Sequence, residues 1–173
     1  GTVGGGIVEG KAKDAALASI KTHNSSLLTI NLANDISNKE EAICGGEITV
    51  LVDANLQNSM QVFTELRSSL ENRIPGVIIT MVTRFSAESV LINRYWMSRI
   101  SRPAIPDALM EKIGPEIEEL ISSGDNNCYR ELELEIPGEE PSSIFFLEPV
   151  FPLPELVIAG AGHIGRALAH LGA

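Results

Sequence analysis

From Leu156 the chain reads LVIA, then places Gly160, Gly162 and Gly165 in the spacing G-x-G-x-x-G, then opens a helical pattern from Arg166 to His170. This stretch constrains the architecture more tightly than any other, because each glycine has its own physical role. The first permits a tight turn, the second lets backbone approach a pyrophosphate, and the third lets the helix lie close to the strand before it. Amides at the helix start then face an anion. The spacing predicts the first strand, turn and helix start of a Rossmann domain over residues 155–173. A glycine loop without a ligand is the plainer alternative. A dinucleotide site also needs a next strand and an acidic residue about 20 residues on, past Ala173, so the element reads as begun and unfinished. At the other end, the opening GTVGGG reads like the interior of a domain, and a fragment is expected.

The chain before this motif alternates helix and strand periods. Val8, Ala12, Ala15, Ala16, Ser19 and Ile20 recur at helical spacing after Gly4-Gly5-Gly6, with Glu9 in the first turn, where the helix dipole favours it. Leu27 to Leu32 reads as a strand. Ile48 to Val52 is an almost unbroken apolar run, as in a central strand covered on both faces. Met60, Phe63, Leu66, Leu70 and Ile74 mark a helix stripe that Asn58 or Ser59 can cap, and Val77 to Thr83 is again a strand. A β-α-β order of this kind argues for a mixed sheet with a right-handed crossover.

The signal is weaker between Arg84 and Arg102, where Ser89 to Asn93 reads as a strand and Arg94 to Met97 as its partner or a loop. Asp107 can cap a helix facing inward through Met110, Ile113, Ile117, Leu120 and Ile121, with a kink expected at Gly114-Pro115. Arg130 to Ile136 alternates leucine and isoleucine with Glu131, Glu133 and Glu135, a half-solvated strand whose glutamates face water. Ser143 to Glu148 pairs with it as a hairpin. The expected fold is therefore α/β: a layered domain with a mixed sheet over residues 1–149, a proline-rich linker at 150–154, and the Rossmann opening at 155–173.

Charge and cysteine content narrow the function. A formal net charge of −10 repels a phosphate backbone or an anionic membrane, so neither nucleic acid nor membrane is an expected partner. No apolar run is long enough to span a bilayer and no basic leader precedes one, which reads as cytoplasmic. Cys44 and Cys128 are too few and too far apart for a disulfide framework, and His23, His163 and His170 show no metal-ligand spacing. Neither a metal site nor a catalytic constellation is expected. Two glycine turns remain as candidate anion sites: Gly4, Gly5 and Gly6 ahead of Glu9, and Cys44-Gly45-Gly46, where a thiol stands beside backbone that a ligand can approach. A ligand-free strand-to-helix turn and a buried inert cysteine are the plain alternatives.

Taken in order, GTVGGGIVE at the start, Cys44-Gly45-Gly46 ahead of a strand, Phe145 to Glu148 with the proline linker, and Leu156 to Gly165 with His163 resemble the xanthine dehydrogenase accessory factor (XdhC/CoxI) family. The resemblance spans nearly the whole chain. It implies a small α/β domain followed by a Rossmann domain, and a maturation chaperone that binds molybdenum cofactor of molybdopterin type and delivers it to an apo-molybdenum hydroxylase without being established as an enzyme. The cofactor-binding residues it implies are Gly4, Gly5, Gly6, Glu9, Cys44, Gly45, Gly46, Gly160, Gly162, His163 and Gly165. A cofactor-sulfurating enzyme and a homodimer are further partners consistent with it, and NAD(P) is the cofactor of the alternative, an oxidoreductase using the C-terminal glycine motif. The leading helix and strands usual before GTVGGG, and the rest of the Rossmann domain, are absent from this chain.

Overall fold

The computed structural model describes residues 5–32, 46–86, 89–134, 143–160 and 162–172. In chain order these form α1 (Gly6–Thr22), β1 (Ser26–Asn31), β2 (Glu47–Val52), a 3-10 turn (Leu56–Ser59), α2 (Met60–Glu71), β3 (Gly76–Ser86), β4 (Ser89–Ser98), α3 (Asp107–Ser123), β5 (Arg130–Leu134), β6 (Ser143–Val150) and α4 (His163–Leu171). The α/β class read from the sequence is the class observed.

A four-stranded antiparallel sheet, order β4-β3-β6-β5, forms the centre. Its β3 strand carries the VIITMVT run, and alternate residues Val77, Ile79 and Met81 point to one face together with Phe145 and Leu147 of β6. That face receives α3 through Leu109, Ile113, Ile117 and Leu120, a stripe at helical spacing. Asp107 is the first residue of α3, after Pro106 at the cap position, and its charge suits the positive end of the helix dipole. The kink expected at Pro115 does not divide the helix, which runs unbroken from Asp107 to Ser123. Proline removes one N–H bond, but Ile113 and Ile117 on either side are both buried in the core and hold the turn in place.

The sheet's other face is covered over β4 by α2. Trp96 is 1 % exposed there and donates its indole N–H to Ser69 of α2 at 2.9 Å. Gly76 makes this packing possible: a Cβ at that position would stand 2.3 Å from the Met97 carbonyl oxygen and 2.5 Å from the Trp96 ring.

Several expectations are corrected. The described strands pair only antiparallel, in two sheets, so there is no single mixed sheet. Parallel neighbours need a crossover between strands of one sheet, whereas α2, lying between β2 and β3 in sequence, packs on β4, and β2 pairs with β1. Hence β2 is not central. Its unbroken apolar run has another cause: register puts Ile48, Val50 and Val52 opposite Ile30, Leu28 and Ser26, while Thr49 and Leu51 face a cleft whose lining also takes in Ile48. Residues 89–98 form one strand, so Arg94 to Met97 continue β4. The hairpin of β5 with β6 is as expected, with β6 reaching Val150, one residue into the expected linker. Finally, Leu156 to Ala159 form no strand. An extended segment becomes a strand only by sharing backbone bonds with a neighbour.

Candidate functional site

Between the β1–β2 pair and the uncovered part of the four-stranded sheet lies a cleft of about 730 Å³, within the range of small-molecule sites. One wall comes from Leu27 of β1 and Glu47, Thr49 and Leu51 of β2, with Phe63 of α2 beside them. The floor is the sheet: Ile78 and Thr80 of β3, Arg94 of β4, Phe146 and Glu148 of β6, and Glu131 of β5. Strand periodicity explains the selection. Residues that alternate with Val77, Ile79 and Met81 must point away from α3, and antiparallel register sets Thr80 opposite both Arg94 and Phe146, with Phe146 opposite Glu131.

Arg94 is anchored from the loop that follows β2. Its Nη1 donates to Asp53 Oδ2 and, at 3.1 Å, to Ser59 Oγ, and the two charged side chains are only 12 % and 11 % exposed. Asp53 Oδ1 accepts the Asn55 N–H at 2.8 Å and the Ser25 hydroxyl at 3.4 Å, while the Ala54 N–H donates to Ser25 Oγ at 3.0 Å. The guanidinium lies 6.0 Å from the centroid of the Phe63 ring. This network ties β4, the α1–β1 turn and the start of α2 to one another. It fixes the width of the cleft and neutralises its cation.

Of the residues expected to bind a cofactor, Gly4, Cys44 and Gly45 lie outside the described residues. Gly46 has φ +138°, accepts the Leu32 N–H at 2.8 Å, and immediately precedes the cleft residue Glu47. Gly5 caps α1, and the Glu9 N–H donates to its carbonyl at 3.0 Å. α1 packs on both β1 and β2 and joins β1 through three residues. The cleft lining itself includes Gly5, Gly6 and Glu9 no more than it includes the C-terminal glycines.

The C-terminal turn is a separate feature with the local geometry its spacing predicts. Gly160 has φ +117°, a Cβ on Gly165 would stand 2.5 Å from the Gly160 carbonyl oxygen, and Gly162 faces open space. His163 is the first, exposed residue of α4, a helix with no buried residue. Leu153, Val157, Ile164 and Leu171 are all exposed as well. Arg73 secures the segment through the Leu153 carbonyl at 3.1 Å and an ion pair to Glu155 at 3.8 Å.

Sequence reading missed the floor of the cleft, Thr80, Arg94, Phe146, Glu131 and Glu148. A signal existed: Thr80 and Arg94 are polar residues in the middle of apolar strands. Glu131 and Glu133 are both exposed, as the alternation led one to expect, and Glu131 also lines the cleft. Cys128 is half-buried and its thiol donates to Asp125 at 3.3 Å; that bond to a carboxylate raises its pKa above the ordinary thiol value. Among the described residues no cluster of three or more metal-ligating side chains occurs, and no helix is long and apolar enough to cross a membrane. Comparison with protein-family models, with curated proteins and with solved structures finds no match to this chain.

Proposed function

We propose that this chain is the cofactor-binding part of an accessory factor that holds molybdenum cofactor and hands it to an apo-molybdenum hydroxylase in the cytoplasm, without turning over a substrate. The motif order from GTVGGG through Cys44-Gly45-Gly46 to Gly165 motivates the reading. One structural observation supports it best: Gly46, the last residue of the Cys44-Gly45-Gly46 motif, immediately precedes β2 where that strand enters the wall of a cleft large enough for such a ligand. In this reading the turn's amides hold the phosphate, Cys44 offers a soft ligand to the metal-sulfur end, and the cleft receives the organic ring.

The test is titration of molybdenum cofactor against the wild type, Cys44→Ser and Val50→Ser, with unfolding curves in parallel. Cys44→Ser should weaken binding with the fold intact; Val50→Ser should weaken it only in step with lost stability. No binding by folded wild type refutes the reading, and equal affinity for Cys44→Ser removes that thiol from the site. The competing reading, an NAD(P)-dependent oxidoreductase, draws support from the close approach of Gly165 to Gly160. It predicts NAD(P)H binding that Gly162→Val abolishes and Cys44→Ser leaves unchanged.

A further inference from the structure

β6 leaves the sheet at Val150, and α4 starts at His163. The strap that follows β6, residues 151–155, has proline at positions 152 and 154, so only Phe151, Leu153 and Glu155 can donate a backbone N–H. Two turns of the α/β body grip it. Asn126, between α3 and β5, accepts the Phe151 N–H at 2.8 Å. Arg73, between α2 and β3, reaches two points further on: Nη2 donates to the Leu153 carbonyl at 3.1 Å, and Nη1 stands 3.8 Å from Glu155 Oε2. Both turns lie at the end of the sheet where β6 finishes, since Gly76 is the register partner of Val150 and Arg130 that of Leu147. Past the strap, α4 has no buried residue, and Val157, Ile164 and Leu171 are exposed. Packing does not anchor this helix to the core.

The backbone beneath Arg73 is unusual for an arginine. After Asn72 caps α2, the Arg73 N–H donates to the Leu70 carbonyl at 3.0 Å and the Ile74 N–H to the Ser69 carbonyl at 2.8 Å. In that pairing the residue after the cap adopts a left-handed conformation and is usually glycine. Arg73 has φ +58°, whereas α3 ends on a glycine in the same conformation, Gly124 with φ +67°. A Cβ is strained there, yet the guanidinium carried at this position is a planar fork able to take a carbonyl and a carboxylate together. We propose that Arg73 is the clasp of a releasable strap. It sets where the glycine turn and α4 stand against the sheet, and its release frees them to swing while the body stays folded. The Arg73 and Glu155 side chains are 52 % and 65 % exposed; such a pair is weak and screened by salt, so the clasp opens as ionic strength rises. The device is the same whichever ligand the glycine turns take.

The experiment measures backbone amide order parameters by NMR on the whole chain, as wild type, Arg73→Gly, Arg73→Lys and Glu155→Gln, at low and high salt, with urea unfolding in parallel. In wild type at low salt the amides of Leu153, Leu156 and α4 should approach the rigid value of about 0.85, and in Arg73→Gly they should fall below about 0.6. That variant should nevertheless resist urea at least as well as wild type, because glycine removes the left-handed strain. A role confined to the turn predicts the reverse, lower stability with an unchanged strap. Arg73→Lys should loosen the strap without any gain in stability, since an ammonium cannot span carbonyl and carboxylate as the fork does. High salt should loosen the wild-type strap and leave that of Glu155→Gln as it was. The proposal is overturned by order parameters in Arg73→Gly equal to those of wild type, by a wild-type strap already below about 0.6 at low salt, or by a wild-type strap indifferent to salt.

Discussion

Replacing Arg94 by methionine keeps most of the side-chain volume and removes the charge, leaving Asp53 in a site where it is 11 % exposed. Two unit charges about 4 Å apart interact by about 4 kcal/mol at the effective dielectric typical of such pairs, and removing one member of a buried pair costs about 3–5 kcal/mol. Asp53 retains the Asn55 N–H and the Ser25 hydroxyl, so the lower end of that range applies, about 3 kcal/mol. For a chain of this length that lowers Tm by about 6–12 °C. Asp53→Asn alone should cost a comparable amount, and the double variant Asp53→Asn with Arg94→Met should recover part of the loss. A coupling of about 2 kcal/mol or more in the cycle is expected, read from urea unfolding of the four proteins. The exposed pair Arg67–Glu71, with side chains 77 % and 61 % exposed, is the internal control and should couple by less than about 0.5 kcal/mol. Equal coupling in the two cycles would refute the claim that the Arg94 network holds the cleft in shape.

Three further outcomes follow from packing and electrostatics. Gly76→Ala should lose at least about 1–3 kcal/mol to overpacking, because its Cβ would collide with the backbone of Met97 and the ring of Trp96; urea unfolding and the near-ultraviolet signal of Trp96 report it together. Ile113→Ala, at a fully buried position under the sheet, should cost about 2–5 kcal/mol by the same unfolding assay. Asp125 raises the Cys128 pKa by accepting its thiol proton, and its own pKa is lowered, first by the Asn127 N–H and then by that thiol. Asp125→Asn should therefore speed alkylation of Cys128 by iodoacetamide near neutral pH. A depressed folded-state value means that Asp125 stabilises the fold above its unfolded pKa and that this contribution fades as pH falls through the folded one; carboxyl titration by NMR checks the direction.

The sequence carried the local patterns and withheld the long-range pairings. The stripe Ile113, Ile117 and Leu120 announced α3, and the alternation around Leu132 and Leu134 announced β5, because each depends on periods within one element. Which sheet β2 joins depends instead on where α2 packs, and nothing in ITVLV distinguishes a strand buried by two layers from one between a helix and a cleft. The same reasoning explains the missed site. Thr80, Arg94, Phe146 and Glu131 are up to 66 residues apart in sequence and become neighbours only through antiparallel register. The glycine turn at Gly160 to Gly165 was legible in detail because its constraints are local: a positive φ at Gly160 and a close approach at Gly165. Its strand was not formed, because Leu156 to Ala159 have no neighbour to pair with among the described residues.

The central claim is that the cleft on the four-stranded sheet, and the glycine turn at its edge, form the cofactor site. Amide chemical shifts recorded during a titration with molybdenum cofactor test it most directly. The account predicts saturable changes concentrated at Gly46, Thr80, Arg94, Phe146 and Glu148, with α3 on the far face undisturbed. Changes confined to Gly160 through Gly165, or spread evenly over the surface, would contradict it.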